Sequence, residues 1–180
     1  KELLRSQGQI IGRLDARFTG SSPDLAAEGA DYDPQDKAIS GAWIAMINDY
    51  LFRDLGYRTP LTYRPSNNVF NDWDWKHSPG DSFPQMAADT SVDLAAAMRE
   101  NPNLKLLSVN GLFDLATPFA GAEYDLGHMA LGPVELQNIR YTYYPAGHMM
   151  YIDPVSARQL KGDLASFYAG AMAEARNIEL

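Results

Sequence analysis

Two short apolar runs, LKLLSV at residues 104–109 and IRYTYY at 139–144, are each followed closely by one ionisable side chain and then a helix-opening dipeptide. The first run leads through NGLFDLATPF to Asp114 and then Thr117-Pro118. The second leads through YYPAGHMMYIDP to His148 and then Asp153-Pro154. Runs of this length and composition fit buried strands. A Thr or Asp followed by Pro fits a helix start, because the residue before the helix caps it and proline suits its first position. Helical patterns flank both runs. Residues 85–100 carry Met86, Leu94 and Met98 on one face and stop at Asn101-Pro102; residues 119–129 follow the first run; a last helix after Pro154 carries Leu160, Leu164, Phe167 and Ala171. The order helix, strand, helix, strand, helix predicts a parallel α/β sheet with helices on its faces.

That order also sets where chemistry can sit. In a parallel sheet, the loops beyond the carboxyl ends of the strands build ligand sites, and Asp114 and His148 both fall there. One crossover joins the two strands, so they are expected neighbours, and a carboxylate and an imidazole on adjacent loops can reach hydrogen-bond distance. Such a pair forms two members of a serine hydrolase triad, in which the acid fixes the imidazole tautomer and stabilises its charged form. The order acid, then histidine, is that of α/β hydrolases, whose serine precedes both. Spacing alone favours a plainer reading: Asp114 as a turn or capping residue and His148 as a structural histidine.

The front of the chain differs from the rear, and the expected division falls at residues 84 and 85. Residues 1–84 are rich in Gly, Pro, Asp and aromatics. One helix stands out, over residues 38–57, where Ile39, Trp43, Met46, Ile47, Tyr50, Leu51 and Leu55 recur at spacings of three and four. Long loops flank it, and loops of that length tend to be lids or binding segments. Within them, Trp73 and Trp75 fit ring anchors packed on a core, or else walls of a cleft, and Arg17 reads as a plain loop arginine.

Composition narrows the classes of function. A hydrophobic fraction of 46% over 180 residues supports a packed core. A net charge of −8 disfavours nucleic acid and anionic membrane as partners. The chain has no cysteine, which excludes disulfides, thiolate-bound zinc and thiol catalysis within it. His77 and His128 lack ligand-like spacing, and Glu123 and Asp125 read as an acidic helix face, so no metal and no cofactor are expected. No apolar run approaches a membrane span, and the stretch KELLRSQGQIIGRL does not resemble a signal peptide.

GLFDLATPF and YYPAGHMMYID resemble the Asp and His motifs of the serine carboxypeptidase family, peptidase S10, and particularly its bacterial branch. RLDARFTG, NDYLFRDLGY and NDWDW look like the same branch, so the resemblance runs from about Gly12 to about Phe167. The absence of cysteine agrees with it, since eukaryotic members use disulfides. The resemblance implies the C-terminal portion of an α/β-hydrolase fold over residues 85–180, with residues 1–84 mostly lid or cap. It also implies that Asp114 is the triad acid, that His148 is the base, and that Met149 lines the pocket for the C-terminal residue of a peptide substrate. No Gly-x-Ser-x-Gly elbow occurs in the chain. The nucleophile is therefore expected on a partner, most simply an N-terminal chain of the same precursor. A secreted or periplasmic location is expected. Work at acid pH, a further implication, requires surroundings such as burial that keep the base neutral. Two other functions stay open: esterase or acyl transfer by the same triad, and a non-catalytic α/β interaction domain.

Overall fold

The structure, a computed structural model, describes residues 1–67, 69, 71–78 and 88–178. It is of mixed α/β character and forms two compact units. One comprises Lys1–Arg13 with Phe18–Asp74; the other comprises Leu14–Arg17 with the chain from Trp75 onward. The division expected between residues 84 and 85 lies outside the described residues.

In the first unit, β1 (Gln9–Ile11) and β2 (Thr19–Ser21) pair antiparallel, with Ile10 opposite Gly20 and fully buried. The sequence pattern gave no sign of this hairpin, because three-residue strands are too short to show alternation. The helix expected over residues 38–57 is α1, Pro34–Arg53. It starts four residues early because Asp33-Pro34 is a capping pair. One Asp33 carboxylate oxygen accepts the amide hydrogens of Gln35 (2.8 Å) and Asp36 (3.1 Å), and Pro34 begins the helix without a missing donor. Much of the expected apolar stripe stands in solvent: on α1, Trp43, Met46 and Tyr50 are exposed, Met46 by 70%, and Leu55, also exposed, lies beyond the helix, which ends at Arg53 rather than at residue 57.

The second unit carries the parallel pair expected from the helix–strand alternation. β3 (Leu106–Gly111) lies beside β4 (Ile139–Tyr144), in register from Leu106 opposite Ile139 to Gly111 opposite Tyr144. β3 sits two residues later than the apolar run, because Asn110 and Gly111 join the ladder. Asn110 is buried and donates through its amide to Thr142 O (3.2 Å) and Ser108 Oγ (3.0 Å), which satisfies a polar side chain inside the sheet. The crossover between the strands contains α3 (Phe119–Gly127) and the single turn α4 (Pro133–Leu136).

Among the described residues, two apolar clusters hold this unit. Ala95 and Met98 of α2 (Ser91–Glu100) bury against Met129, with Leu94, Leu104, Leu126, Leu131 and Ile139 around them. Met86, expected on the same helix face, lies outside the described residues. The second cluster joins Tyr144, Ala146 and Met150, with Val109 and Leu160 packed on it. Leu160 belongs to α5 (Pro154–Ile178), whose expected stripe of Leu160, Leu164, Phe167 and Ala171 is half-buried throughout. Among the described residues, no helix is long and apolar enough to cross a membrane. Met98→Ala should lower stability by about 2–5 kcal/mol, because truncation removes a buried side chain and leaves a cavity. Urea unfolding at constant m-value reads this as a lower midpoint, and an unchanged midpoint would contradict the packing described.

Candidate active site

The level ends of β3 and β4 bring two loops together. Leu112 N donates to Tyr144 O (2.9 Å) and Phe113 N to Ala146 O (3.0 Å), so the strand ladder continues into the turns. The approach is close enough to require glycine. A Cβ on Gly111 would collide with the Gly147 carbonyl, and both backbones would have to shift.

Asp114 stands three residues beyond β3 and is 6% exposed. Its two oxygens divide their work. Oδ1 accepts the amide hydrogens of Ala116 (2.7 Å) and Thr117 (3.0 Å), an Asx-type turn that closes the DLAT segment on itself. Oδ2 accepts the Thr117 hydroxyl (2.7 Å) and lies 2.8 Å from His148 Nδ1. Burial works against the charged carboxylate, but the Thr117 amide, the Thr117 hydroxyl, His148 and the Ala116 amide together outweigh it. They hold the Asp114 carboxyl below the ordinary range.

An ionised carboxylate can only accept, so Nδ1 of His148 carries the proton in this contact. In the neutral ring Nε2 is then the bare nitrogen, able to take a proton from a hydroxyl. Nε2 makes no hydrogen bond among the described residues, and the imidazole is 44% exposed while the Asp114 side chain is 5% exposed. A buried carboxylate thus sits behind an accessible imidazole, the relation a triad needs between acid and base. Among the described residues, the burial expected around the base is not present.

Of the residues singled out from the sequence, Asp114 and His148 are brought together. Met149 follows His148 directly and is half-buried. Thr117 was expected to cap α3, but that helix begins at Phe119 with no side-chain cap, and the hydroxyl is spent on Asp114 instead. Thr117 is the site residue that sequence reasoning missed. The sequence left both roles open, because an Asp followed three residues later by Thr can close a turn as readily as open a helix. Trp73 and Trp75 are both more than half exposed, so neither is a ring buried as an anchor. The other histidines act locally, His77 Nε2 lying 2.7 Å from Asp93 and His128 Nδ1 2.7 Å from Tyr124 O. Among the described residues, no group of three or more His, Asp or Glu could hold a metal ion.

No protein-family model, no curated protein and no solved structure matches this chain. The class of the site therefore rests on its geometry and on the two sequence motifs.

The depressed Asp114 pKa ties stability to pH. The unfolded carboxyl titrates near ~3.9 and the folded one lower, so between those values the unfolded chain binds more protons and stability rises with pH. The Asp114 contribution should be complete above about pH 5 and vanish as pH falls through the folded value. Urea midpoints measured against pH should show an acid loss that is shallower in Asp114→Asn; parallel curves for the two proteins would contradict the assignment.

Proposed function

We propose that this chain is the rear, acid-and-base-bearing part of an α/β hydrolase of the serine carboxypeptidase type, peptidase S10. In this reading it removes C-terminal residues from peptides. The supporting observation is the contact of 2.8 Å between buried Asp114 and His148 Nδ1, on loops at the carboxyl ends of adjacent parallel strands, with Nε2 left open. The motifs GLFDLATPF and YYPAGHMMYID lend independent support, since they carry these two residues.

The nucleophile comes from outside these 180 residues, which contain no Gly-x-Ser-x-Gly elbow; an N-terminal chain of the same precursor is the simplest source. His148 Nε2 takes the serine proton as Oγ attacks the scissile carbonyl carbon. The resulting imidazolium is held by Asp114, whose ionised carboxylate already faces Nδ1. The imidazolium then protonates the departing amine, leaving an acyl-enzyme. Water repeats the cycle: Nε2 takes its proton, the hydroxide adds to the acyl carbon, and the proton returns to serine. Met149 lines the pocket for the departing residue, and residues 1–84 are mostly lid, with connecting loops. Docking of the serine-bearing chain covers much of the imidazole and leaves room for the hydrolytic water. The setting is secreted or periplasmic.

A fluorophosphonate probe applied to the protein with its co-purifying partner should label a serine outside residues 1–180. His148→Ala should abolish labelling while leaving assembly intact, since loss of a triad member leaves little but residual catalysis. Labelling that persists in His148→Ala would overturn the role of His148. Cleavage of peptides with free but not amidated C-termini identifies a carboxypeptidase; hydrolysis of simple esters alone identifies an esterase.

A further inference from the structure

Four residues that fall in sequence between β1 and β2 belong to the second unit, and several of their hydrogen bonds land beside the Asp114–His148 pair. Asp15 is 1% exposed, and its carboxylate is filled by Arg17. Oδ1 accepts the Arg17 amide (2.9 Å) and Nε (3.0 Å), and Oδ2 accepts Nη2 (2.7 Å). The free end of the fork, Nη1, donates to Pro145 O (2.8 Å) on the His148 loop. On the same loop, the His148 amide donates to Leu14 O (2.7 Å), and Gly147 packs so tightly on Leu14 and Asp15 that a Cβ there would collide with both. On the Asp114 loop, the Ala16 amide donates to Phe113 O (2.9 Å), and the Arg17 guanidinium lies over the Phe113 ring at 4.8 Å from its centroid.

Phe113 immediately precedes Asp114, and the amide bonded to Leu14 is that of His148 itself. The segment therefore grips both loops at the residues whose side chains must stay in register. A planar fork is suited to this, because one guanidinium can hold a carboxylate and reach a carbonyl at once. A buried carboxylate is costly unless its acceptors are filled, so Asp15 fixes Arg17 as firmly as Arg17 fixes Asp15.

We propose that Leu14–Arg17 is a positioning strap, and that Arg17, locked by Asp15, holds the His148 loop against the Asp114 loop so that Nδ1 meets the carboxylate. The reading of Arg17 as a plain loop residue is thereby replaced. The strap's value for catalysis rests on the proposed function, but its effect on the pair does not.

The test is the Nδ1 proton of His148. Held by a carboxylate, such a proton gives a far-downfield resonance, and His148→Gln assigns it among the three histidines. Arg17→Gln should lose or broaden that resonance while the amide signals of β3 and β4 remain dispersed. Arg17→Lys, which keeps a cation beside Asp15 but not the fork, should recover it in part; should Arg17→Gln fail to fold, Arg17→Lys is read alone, and a weakened resonance supports the strap. An unchanged resonance in a folded Arg17 variant overturns the strap and leaves the pair intact. No such resonance in the unsubstituted chain sinks the pair itself, and with it the proposed function.

Discussion

Because Gly111 pairs with Tyr144, the two parallel strands end level with each other, and the geometry of the candidate site follows from that register. A shift of one residue would turn alternate side chains to the other face and carry the loops out of step. In the observed register the ladder runs on into the turns through Leu112 and Phe113. Gly111 and Gly147 allow the two backbones to touch. A carboxylate that must stay charged in a buried turn then finds its acceptors filled by Ala116, Thr117 and His148. The imidazole is oriented by that carboxylate and left open on its other nitrogen. Strand pairing, backbone contact, turn and proton position are thus one chain of consequence.

Among the described residues, the rest of the unit gives this arrangement little support from apolar burial. Its two clusters are small, and β3 and β4 pair with no third strand among the described residues. Parallel sheets are normally covered on both faces, and a pair of strands presents open edges that invite pairing with another chain. The exposed stripe of Trp43, Met46 and Tyr50 in the first unit has the same character. Both features suit a chain that works against a serine-bearing partner, which is what the proposed function asks of it.

The chain-order logic of the rear part was legible in the sequence because proline and capping residues mark where helices start. Asp114 and His148 could be placed at one sheet edge from that punctuation alone. What stayed hidden was what depends on three-dimensional proximity. Thr117 looked like a helix cap because its neighbour is proline, yet its hydroxyl is captured by Asp114, and the competition between a turn and a cap has no sequence signature that decides it. The start of α1 at Pro34 was missed because apolar periodicity begins only at Ile39, after the polar first turn. The strap was invisible because Asp15 and Arg17 act on loops about a hundred residues away, and no local pattern records such a contact.

The most direct measurement is the crystal structure of the phosphonate-labelled complex of this chain with the proposed serine-bearing partner. The account predicts the labelled serine Oγ within about 3 Å of His148 Nε2, with Nδ1 still bonded to Asp114. A labelled serine remote from His148, or an imidazole turned so that Nε2 rather than Nδ1 meets the carboxylate, would contradict it.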